Sequence, residues 1–382
     1  MRVSVLGGGP GGLYFAALWK SRHPADSVRL FEQNPADATF GFGVVFSDRA
    51  LEFLREDDPA TVDLIAPRME AWHDIVIVHR GEAIAIDGVG FSAIGRLELL
   101  RLLQQRARDA GVVLEFETAI ASPDRLLGDA DLIVAADGVN SLLRHTYERE
   151  FATTVTQLDS KFVWYGTTRA FDTLTQTFVE NELGTFNAHH YRYAPGMSTF
   201  IVECDPATWV RAGLDLASDA ESRRICGEVF AVTLQGHPLI SNRSLWRNFP
   251  WVWNERWSFR NIVLIGDALR TAHYSIGSGT RLAIEDALAL TKALEAVPGD
   301  LPAALVRYEA MRRPIVEKLV AASKQSAAWY EHFPKHMRLA PAELAMSYIR
   351  RSGRVDDERL RAMAPRFMAL YDAHQGKRSA MP

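Results

Sequence analysis

The hydrophobic positions at the start of the chain follow two periods in turn. Residues 2–6 have the pattern of a short buried strand, the apolar residues from Leu13 to Trp19 continue as a helix, and residues 27–31 return as a strand. This succession predicts a βαβ unit, in which two strands lie in parallel. Arg96 opens a later helix with a stripe of leucines, and another buried strand is predicted at 131–135.

The pattern changes in the middle of the chain. Long segments rich in aromatic and β-branched residues predict strands at 161–170, 175–179 and 189–204. They indicate an antiparallel sheet and a second lobe. A helix is predicted at 218–234, and a buried strand at 262–265 returns to the first lobe. Everything from Leu301 onward has a helical pattern that ends in a charged, frayed tail.

A glycine-rich turn joins the first strand to the first helix. Gly7 permits the tight turn, Gly9 lets the backbone approach a pyrophosphate, and Gly12 lets helix and strand pack closely. The free N–H groups of the helix that begins at Pro10 supply positive potential for phosphates. Glu32 follows the second strand, where a carboxylate can accept hydrogen bonds from an adenosine ribose. We expect nucleotide binding here; a glycine turn without a ligand is the alternative.

Two further turns follow buried strands in a set order. Asp137 and Gly138 come after the strand at 131–135, and Asp267 follows the returning strand, where it suits a ribityl chain. Gly277 and Gly279 precede a helix whose first N–H groups would face the N1/O2 edge of a flavin. Together with the glycine turn, these elements indicate one tightly bound FAD and a nicotinamide that visits transiently or not at all. For each element alone, an ordinary turn or helix cap is the alternative.

The predicted fold class is therefore α/β, with a Rossmann-like FAD-binding lobe, an antiparallel-sheet substrate lobe and C-terminal helices. The FAD-binding lobe is discontinuous because residues 261–296 return to it late in the chain. The predicted domains are 1–155 (first part of the FAD-binding lobe), 156–255 (β-rich substrate lobe), 256–300 (returning part of the FAD-binding lobe) and 301–382 (C-terminal helical region).

Composition excludes several classes of function. The 382 residues carry a net charge of −4, which provides no general basic field for nucleic acid, although a local basic patch would suit a phosphorylated ligand. Two cysteines cannot build a disulfide framework or a cysteine-rich zinc site, so no metal is expected. No apolar run approaches the about 20 residues of a membrane span. The amino terminus enters a strand at once, which predicts no signal peptide and a cytoplasmic location.

At these motifs the chain resembles the single-component, FAD-dependent aromatic hydroxylases of the para-hydroxybenzoate hydroxylase type, over about residues 1–330. The resemblance implies that the glycine turn and Glu32 hold ADP, that Arg96 lies near the flavin, that Asp137 contacts the cofactor and the transient nicotinamide, and that Asp267 binds the ribityl chain. The predicted cofactor-binding residues are Gly7, Gly9, Pro10, Gly12, Glu32, Gln33, Val45, Arg96, Asp137, Gly138, Asp267, Gly277, Gly279 and Thr280.

The chain also departs from that family's usual motifs. The usual Gly-Asp-Ala-Ala-His ends in Arg270 here, the proline that faces the flavin is replaced at Tyr274, and the usual asparagine of the following helix is Arg281. The runs 39–48 and 271–280 resemble the salicylyl-CoA 5-hydroxylase and 2-aminobenzoyl-CoA monooxygenase branch. Other runs, at 164–167, 197–204 and 246–249, resemble the indolic hydroxylase of the violacein pathway.

Three residues are candidates for catalysis. His273 lies in the loop expected against the isoalloxazine, next to Tyr274, so it is expected to orient groups or handle protons over the reacting ring. A loop histidine that merely bonds a carbonyl is the alternative. Arg270 and Arg281 suit anionic groups, but a solvated surface is the default expectation for both.

His190 is the third candidate, and its strand leaves a choice open. His190 and Arg192 share one face of the strand, whereas His189, Tyr191 and Tyr193 share the other. One face should line a cavity, and the sequence does not decide which. Satisfied sheet residues are the alternative for both faces.

The resemblance implies a monooxygenase. NADH or NADPH reduces FAD, O2 forms a hydroperoxide at flavin C4a, and its distal oxygen attacks an electron-rich ring. The implied substrate is an aryl-CoA thioester, with salicylyl-CoA and its 5-hydroxy (gentisyl-CoA) product as the first choice, and a homodimer is a possible assembly. An indolic natural-product hydroxylase and a flavin-fold reductase or binding protein without oxygenase activity are the alternatives. The ring substituent, the choice of nicotinamide and the CoA-binding residues stay open.

Overall fold

Three sheets organise the chain in the computed structural model, which describes residues 1–379. The end of the predicted frayed tail, 380–382, lies outside the described residues. The strands are β1 Arg2–Leu6, β2 Ser27–Phe31, β3 Gly43–Ser47, β4 Glu70–Trp72, β5 Ile75–His79, β6 Glu82–Ile86, β7 Phe91–Gly95, β8 Val113–Glu115, β9 Leu132–Ala135, β10 Thr153–Thr167, β11 Leu174–Asn181, β12 Gly184–Ala194, β13 Met197–Cys204, β14 Leu239–Ile240, β15 Arg247–Asn254, β16 Ser258–Phe259 and β17 Ile262–Leu264.

Helices cover the sheets and form the carboxy-terminal part. They are α1 Pro10–Arg22, α2 Asp48–Asp57, α3 Pro59–Ile65, α4 Arg96–Ala110, α5 Asp124–Leu127, α6 Leu142–Thr146, α7 Glu148–Phe151, α8 Pro206–Arg211, α9 Asp219–Val229, α10 Ala231–Leu234, α11 Gly266–Leu269, α12 Gly279–Ala296, α13 Leu301–Glu331, α14 Phe333–His336, α15 Pro341–Arg350, α16 Asp357–Met363 and α17 Pro365–Ser379, with short 3₁₀ turns at Ala66–Arg68, Gly138–Asn140 and Tyr274–Ile276. In the part of the chain that the structure describes, no helix is both long and apolar enough to cross a membrane.

The first sheet is the nucleotide-binding one. Its order is β16-β17-β9-β1-β2-β8, and all its pairs are parallel except that of β16 with β17. Every residue of β9 and β17 is buried, as expected for parallel strands covered on both faces. The three predicted nucleotide-facing turns follow β1, β9 and β17, which are neighbours, so their carboxyl ends meet at one edge. The α/β fold class with a Rossmann-like lobe is confirmed.

The second sheet has the order β14-β10-β13-β12-β11-β5-β6, with β15 paired to β10, and it is antiparallel except where β11 meets β5. The segment predicted as one strand at 189–204 falls on two strands, because Gly196 adopts φ +74 and turns the chain between β12 and β13. The helix predicted at 218–234 is likewise two, α9 and α10, divided at Phe230.

Two strands of this second sheet come from an unexpected part of the chain. β5 and β6 fall within the segment 1–155 that was predicted to belong to the FAD-binding lobe, yet β5 pairs in parallel with β11. Hydrophobic periodicity indicates that a strand exists but not which distant strand it joins. A third, small antiparallel sheet of β3, β7 and β4 lies in the same stretch.

The long helix α13 connects the two lobes. Near its start, Leu305 and Tyr308 pack into the core of the nucleotide-binding lobe. Near its end, Trp329 and Tyr330 pack into a separate core with β5 and α15. The cleft between the lobes therefore has a continuous helix along one side.

Candidate active site

The glycine turn after β1 forms a tight cradle with one open side. Gly7 has φ +108, and a Cβ there would lie 2.4 Å from the Ala136 carbonyl oxygen; a Cβ at Gly12 would lie 2.1 Å from the Gly7 carbonyl oxygen. At Gly9, by contrast, a Cβ would meet nothing within 4 Å. Gly9 caps α1 without a side-chain bond and Pro10 begins the helix, so the first N–H groups of α1 are left for an anion.

Glu32 stands beside this turn, at the end of β2. Its carboxylate accepts hydrogen bonds from the backbone N–H of Gly8 at 2.7 Å and of Asn34 at 2.8 Å. These bonds fix the carboxylate at the mouth of the turn, where the sequence placed an adenosine ribose. Gln33 follows directly and is exposed.

The turn after β9 brings Asp137 to the same edge. One oxygen of Asp137 accepts from the Leu142 N–H at 2.7 Å, whereas Oδ1 is buried and has no partner among the residues that the structure describes. Burial raises the pKa of Asp137. Gly138 has φ +77 and space around its Cα, so this turn, too, is open towards a ligand.

Asp267 follows β17 at the adjacent position. The side chain of Asp267 is accessible from the cleft, but protein atoms lie around it on the other sides. This partial removal from water raises the pKa of Asp267. Arg144, fully buried, donates to the backbone oxygens of Asp267 and Ala268 at 3.5 and 3.3 Å and to that of Val139. Arg144 thus joins the turns after β9 and β17, a role that its sequence position did not reveal.

Arg96 faces these carboxylates from the start of α4. Its Nε donates to Thr39 Oγ1 at 3.1 Å and its backbone N–H donates to the Phe42 oxygen at 2.7 Å. Burial lowers the pKa of Arg96, and the nearby carboxylate of Asp267 acts against that shift. The positive charge of Arg96 therefore lies near enough to the carboxyl group of Asp267 for each to influence the other.

The start of α12 closes the far end of the cleft. Gly277 has φ +58, and a Cβ there would lie 3.0 Å from Cγ2 of Val45. Gly279 begins the helix with open space around it, and Thr280 follows. The side chain of Ser278, the residue before the helix, does not cap α12. The first N–H groups of α12 are therefore left without a side-chain acceptor at this end of the cleft.

A fully buried aspartate holds this end of the cleft in place. Asp286 of α12 accepts from the Gly266 N–H at 3.0 Å, lies 2.8 Å from the guanidinium of Arg270, and accepts from Nε of Arg312 at 3.1 Å. Arg270 is 2% exposed, so the default expectation of a solvated surface is wrong for it. Arg281 is half-buried and pairs with Glu285 at 2.5 Å.

Aromatic side chains line the substrate side of the cleft. The ring of Tyr274 lies 5.0 Å from that of Phe162 and 6.1 Å from that of Phe249, and the His273 ring lies 4.8 Å from Phe249 and 4.1 Å from Tyr274. These residues come from β10, β15 and the loop between β17 and α12. The arrangement forms an aromatic pocket, as we call these four residues below.

His273 is buried in this pocket and held from its backbone side. Its N–H donates to Ser323 Oγ at 2.7 Å, and its ring Nδ1 accepts from the Ser275 N–H at 3.4 Å and lies 2.8 Å from Ser275 Oγ. Burial first, and then the charge of Arg351, lower the pKa of His273 to about 3. The ring is therefore neutral near pH 7, which excludes the proton switch that an ordinary histidine would provide.

The sequence analysis did not single out Glu203, which lies beside the aromatic pocket and has a pKa near neutral pH. Glu203 of β13 is 2% exposed and accepts from the Tyr274 hydroxyl at 2.7 Å. Burial raises the pKa of Glu203 to about 8. A carboxylate that follows the apolar run Phe200 to Val202 near the end of a buried strand is the signal that could have found it.

The structure shows which face of β12 lies towards the cleft. His190 packs between Phe171 and Phe200, at ring distances of 3.9 and 5.1 Å, and bonds Thr177, so it belongs to the core on the far side of the sheet. The structure separates His190 from His273 and Tyr274, and we correct its candidacy for catalysis accordingly. His189, on the cleft side, has two buried ring nitrogens that lack partners within the described chain.

Comparison with known proteins agrees with this geometry. Residues 126–323 match the family described as an FAD binding domain. A salicyloyl-CoA 5-hydroxylase from a Streptomyces species is 40% identical over 92% of this chain and 70% of its own length. The chain belongs to the FAD-dependent aromatic monooxygenases. A 3-hydroxy-4-methyl-anthranilyl-(aryl-carrier protein) 5-monooxygenase from Streptosporangium sibiricum is 38% identical over 87% of this chain and 90% of its own length.

The fold agrees as well. The crystal structure of a 2-methyl-3-hydroxypyridine-5-carboxylic acid oxygenase superposes with a TM-score of 0.71 at 18% identity, covering 87% of this chain and 93% of that one. As a member of the family, the present protein uses FAD, and NAD(P)H is the usual transient reductant of the family. The open side at Gly9, the partnerless Oδ1 of Asp137 and the cleft-facing Asp267 fit such a cofactor.

Gly9→Val should abolish FAD retention without unfolding the monooxygenase. A Cβ at Gly9 meets no protein atom within 4 Å, so the larger side chain would occupy only the space of the pyrophosphate. The ratio of flavin to protein absorbance after gel filtration measures retention, and circular dichroism measures folding. Gly227→Val is the matched control, since its Cβ also meets nothing within 4 Å. A fully yellow Gly9→Val protein would place the pyrophosphate elsewhere.

Glu203→Gln should remove a pH dependence of stability. The pKa of Glu203 is raised to about 8 from its ordinary 4.5, so the folded state holds that proton more tightly and stability is lost as pH rises through about 8. Thermal unfolding at pH 5 to 9 should show wild type falling relative to Glu203→Gln, by on the order of a few kcal/mol. Replacing the exposed Glu82 with Gln is the control. Parallel pH profiles for wild type and Glu203→Gln would contradict the protonated carboxyl.

Proposed function

We propose that this monooxygenase hydroxylates ring position 5 of an ortho-substituted benzoyl thioester, with salicylyl-CoA as the substrate. The observation that carries the proposal is the aromatic pocket, which ends in a tyrosine bonded to a buried carboxyl group. The names of two relatives support it, because each places the new oxygen at position 5 of an ortho-substituted benzoyl or anthranilyl group. The indolic hydroxylase and the protein without oxygenase activity are not favoured.

The residues of the cleft divide the work of holding FAD. The first N–H groups of α1, beyond Gly9 and Pro10, would hold the pyrophosphate, and Glu32 would hold the adenosine ribose. Asp267 would hold the ribityl chain, and the first N–H groups of α12 at Gly279 would hold the pyrimidine part of the flavin. When bound, FAD supplies the redox and oxygen-transfer chemistry that side chains lack.

The chemistry of the ring selects position 5. The oxygen that is transferred is electrophilic, and a thioester withdraws electrons from the ring. An ortho hydroxyl or amino group restores electron density at its own para carbon, which is position 5. Position 3 is activated as well, so the protein must choose by orientation, and a misplacement of about 1 Å can cost on the order of 10²-fold in rate.

Tyr274 and Glu203 form a hydrogen-bonded pair on the substrate side whose proton content changes near pH 8. The Tyr274 hydroxyl donates to Glu203 Oε2 at 2.7 Å, and the pKa of Glu203 is raised to about 8 by burial. A substrate hydroxyl that donates to Tyr274 can pass its proton along this bond only when Glu203 is ionised, so proton transfer by this route increases as the pH rises towards 8. Neutral His273 and His189 keep cationic charge away from the ring during the same step, since burial lowers the pKa of each to about 3.

His273 acts by position, with its ring packed against Phe249 and Tyr274. The variant His273→Ala should still bind FAD but hydroxylate the substrate about 10- to 100-fold more slowly, because the aromatic ring of the substrate is no longer held at its reacting distance. The reduced flavin should then release hydrogen peroxide instead. NADH loss, O2 uptake and peroxide are measured together. His273→Asn, which can still accept from the Ser275 N–H, should recover part of the coupling. Wild-type coupling in both variants would assign His273 to structure alone.

Salicylyl-CoA should give the 2,5-dihydroxy product, and free salicylate should be a poor substrate. Benzoyl-CoA should bind without being hydroxylated, because its ring lacks the donor group. Mass spectrometry and NMR of the products, with NADH loss as the rate assay, decide among salicylyl-CoA, anthraniloyl-CoA and these controls. A 2,3-dihydroxy product, or hydroxylated benzoyl-CoA, would overturn the proposal. The cytoplasmic location and the homodimer stay predictions.

A further inference from the structure

Four arginines gather on the surface next to the start of α12. The guanidinium groups of Arg49 and Arg281 lie 5.3 and 5.9 Å from the ring of Phe53, one from α2 and one from α12. Arg359 donates to the backbone oxygen of Arg354 at 3.5 Å, in the loop between α15 and α16. Burial first, and then the nearby positive charges of Arg281, Arg359 and Arg49, lower the pKa of Arg354. We call them the arginine patch.

The patch has too little negative charge to balance it. Among the side chains that the structure describes, Arg49, Arg354 and Arg359 form no ion pair with a carboxylate. Arg281 forms an ion pair with Glu285 at 2.5 Å, but Glu285 also forms an ion pair with Arg312 at 3.0 Å, so its negative charge is shared. Like charges held together with few counter-ions raise the electrostatic potential, and such a surface attracts anions. Guanidinium groups bind phosphate with paired hydrogen bonds, which makes phosphate the best matched anion.

A short loop connects the patch to the aromatic pocket. Arg351 lies three residues before Arg354, and its Nη2 donates to the backbone oxygen of Ser275 at 2.7 Å. Ser275 is the residue that holds His273. The charge of Arg351 also contributes to the lowered pKa values of His189 and His273. One end of this loop therefore touches the pocket, and the other carries the patch at the surface.

We propose that the arginine patch binds the phosphate groups of a CoA thioester whose aromatic ring enters the pocket past Arg351. This rests on the proposed function and adds the site for the part of the substrate that does not react. The nicotinamide cofactor also carries phosphates, and the phosphopantetheine of a carrier protein shares the chemistry of CoA. The patch is assigned to the phosphopantetheinyl thioester, and the experiment separates it from the nicotinamide.

The experiment compares two substrates that differ only in phosphate. Salicylyl-CoA and salicylyl-pantetheine share the ring and the thioester, but the pantetheine form has no phosphate. Arg354→Ala and the double variant Arg49→Ala/Arg354→Ala should lower kcat/KM for salicylyl-CoA on the order of tenfold and a hundredfold, because each loses a charge-assisted contact. Turnover of salicylyl-pantetheine should not change. Arg354→Lys should retain most of the activity with salicylyl-CoA. The control variant is Arg108→Ala, since Arg108 is an exposed arginine in the last turn of α4 and does not belong to the patch.

Three outcomes would overturn the assignment while leaving the proposed function standing. They are equal kcat/KM of wild type for the two thioesters, an equal loss for both in the variants, and a raised KM for NADH with unchanged use of salicylyl-CoA. If wild type hydroxylates neither thioester, the proposed function fails instead. Calorimetry with CoA alone then still tests the patch: binding that weakens with salt and is lost in the double variant supports it, and unchanged binding refutes it.

Discussion

Asp286 is the fixed point on which the site is built. It is fully buried, and it joins three elements: the turn after β17 through the Gly266 N–H, Arg270 at the end of α11, and Arg312 in the middle of α13. Burying a charge is tolerable only when it is paired and hydrogen-bonded, and removing one partner of such a set leaves the others uncompensated. The network therefore has one low-energy geometry, and each element must take its place in it.

The position of the cofactor cleft follows from that constraint. Gly266 has φ +60, and its N–H points at Asp286, so Asp267 on the next residue turns towards the cleft. Arg270 begins the loop that carries His273 and Tyr274, and Asp286 itself lies two turns into α12, whose first residue is Gly279. A single buried carboxylate thus sets the ribityl-binding residue, the pocket loop and the helix start relative to one another. Arg144 extends the same frame to the turn after β9.

The sequence predicted well what depends on short-range rules. The glycine turn, Glu32 and the turns after β9 and β17 follow from strand–turn–helix patterns, and the structure brings them to one edge of one sheet. Contacts between distant segments were missed, because period and propensity carry no information on them. Examples are the pairing of β5 with β11 and the burial of Arg270.

The candidate site residues of the large sheet show the same limit: hydrophobic periodicity predicts which residues share a face but not which face lines the site. Alternation correctly grouped His189 with Tyr191 and His190 with Arg192, but either face could have been the inner one. What decides is packing: α9 and α10 cover the face of His190, where Phe200 meets Phe230 at 5.4 Å, while the Tyr191 hydroxyl donates to the Gly43 oxygen across the cleft. Glu203 then follows on the cleft side, since it is paired with Asn187 in the register.

The distribution of charge supports the proposed preference for a thioester. The cofactor cleft sets Arg96 against Asp267, the substrate pocket holds neutral histidines and a carboxyl group that burial protonates, and the uncompensated arginines lie outside. Arg351 lies between the aromatic pocket and the arginine patch, and its guanidinium donates hydrogen bonds to the backbone oxygens of Tyr348 and Ser275. A free carboxylate beside the reacting ring would have to lose its water without gaining a dedicated partner, which is costly in a buried site. A thioester is neutral near the ring and can carry its charge at a distance, so a neutral pocket with a cationic exterior favours the thioester over the free acid.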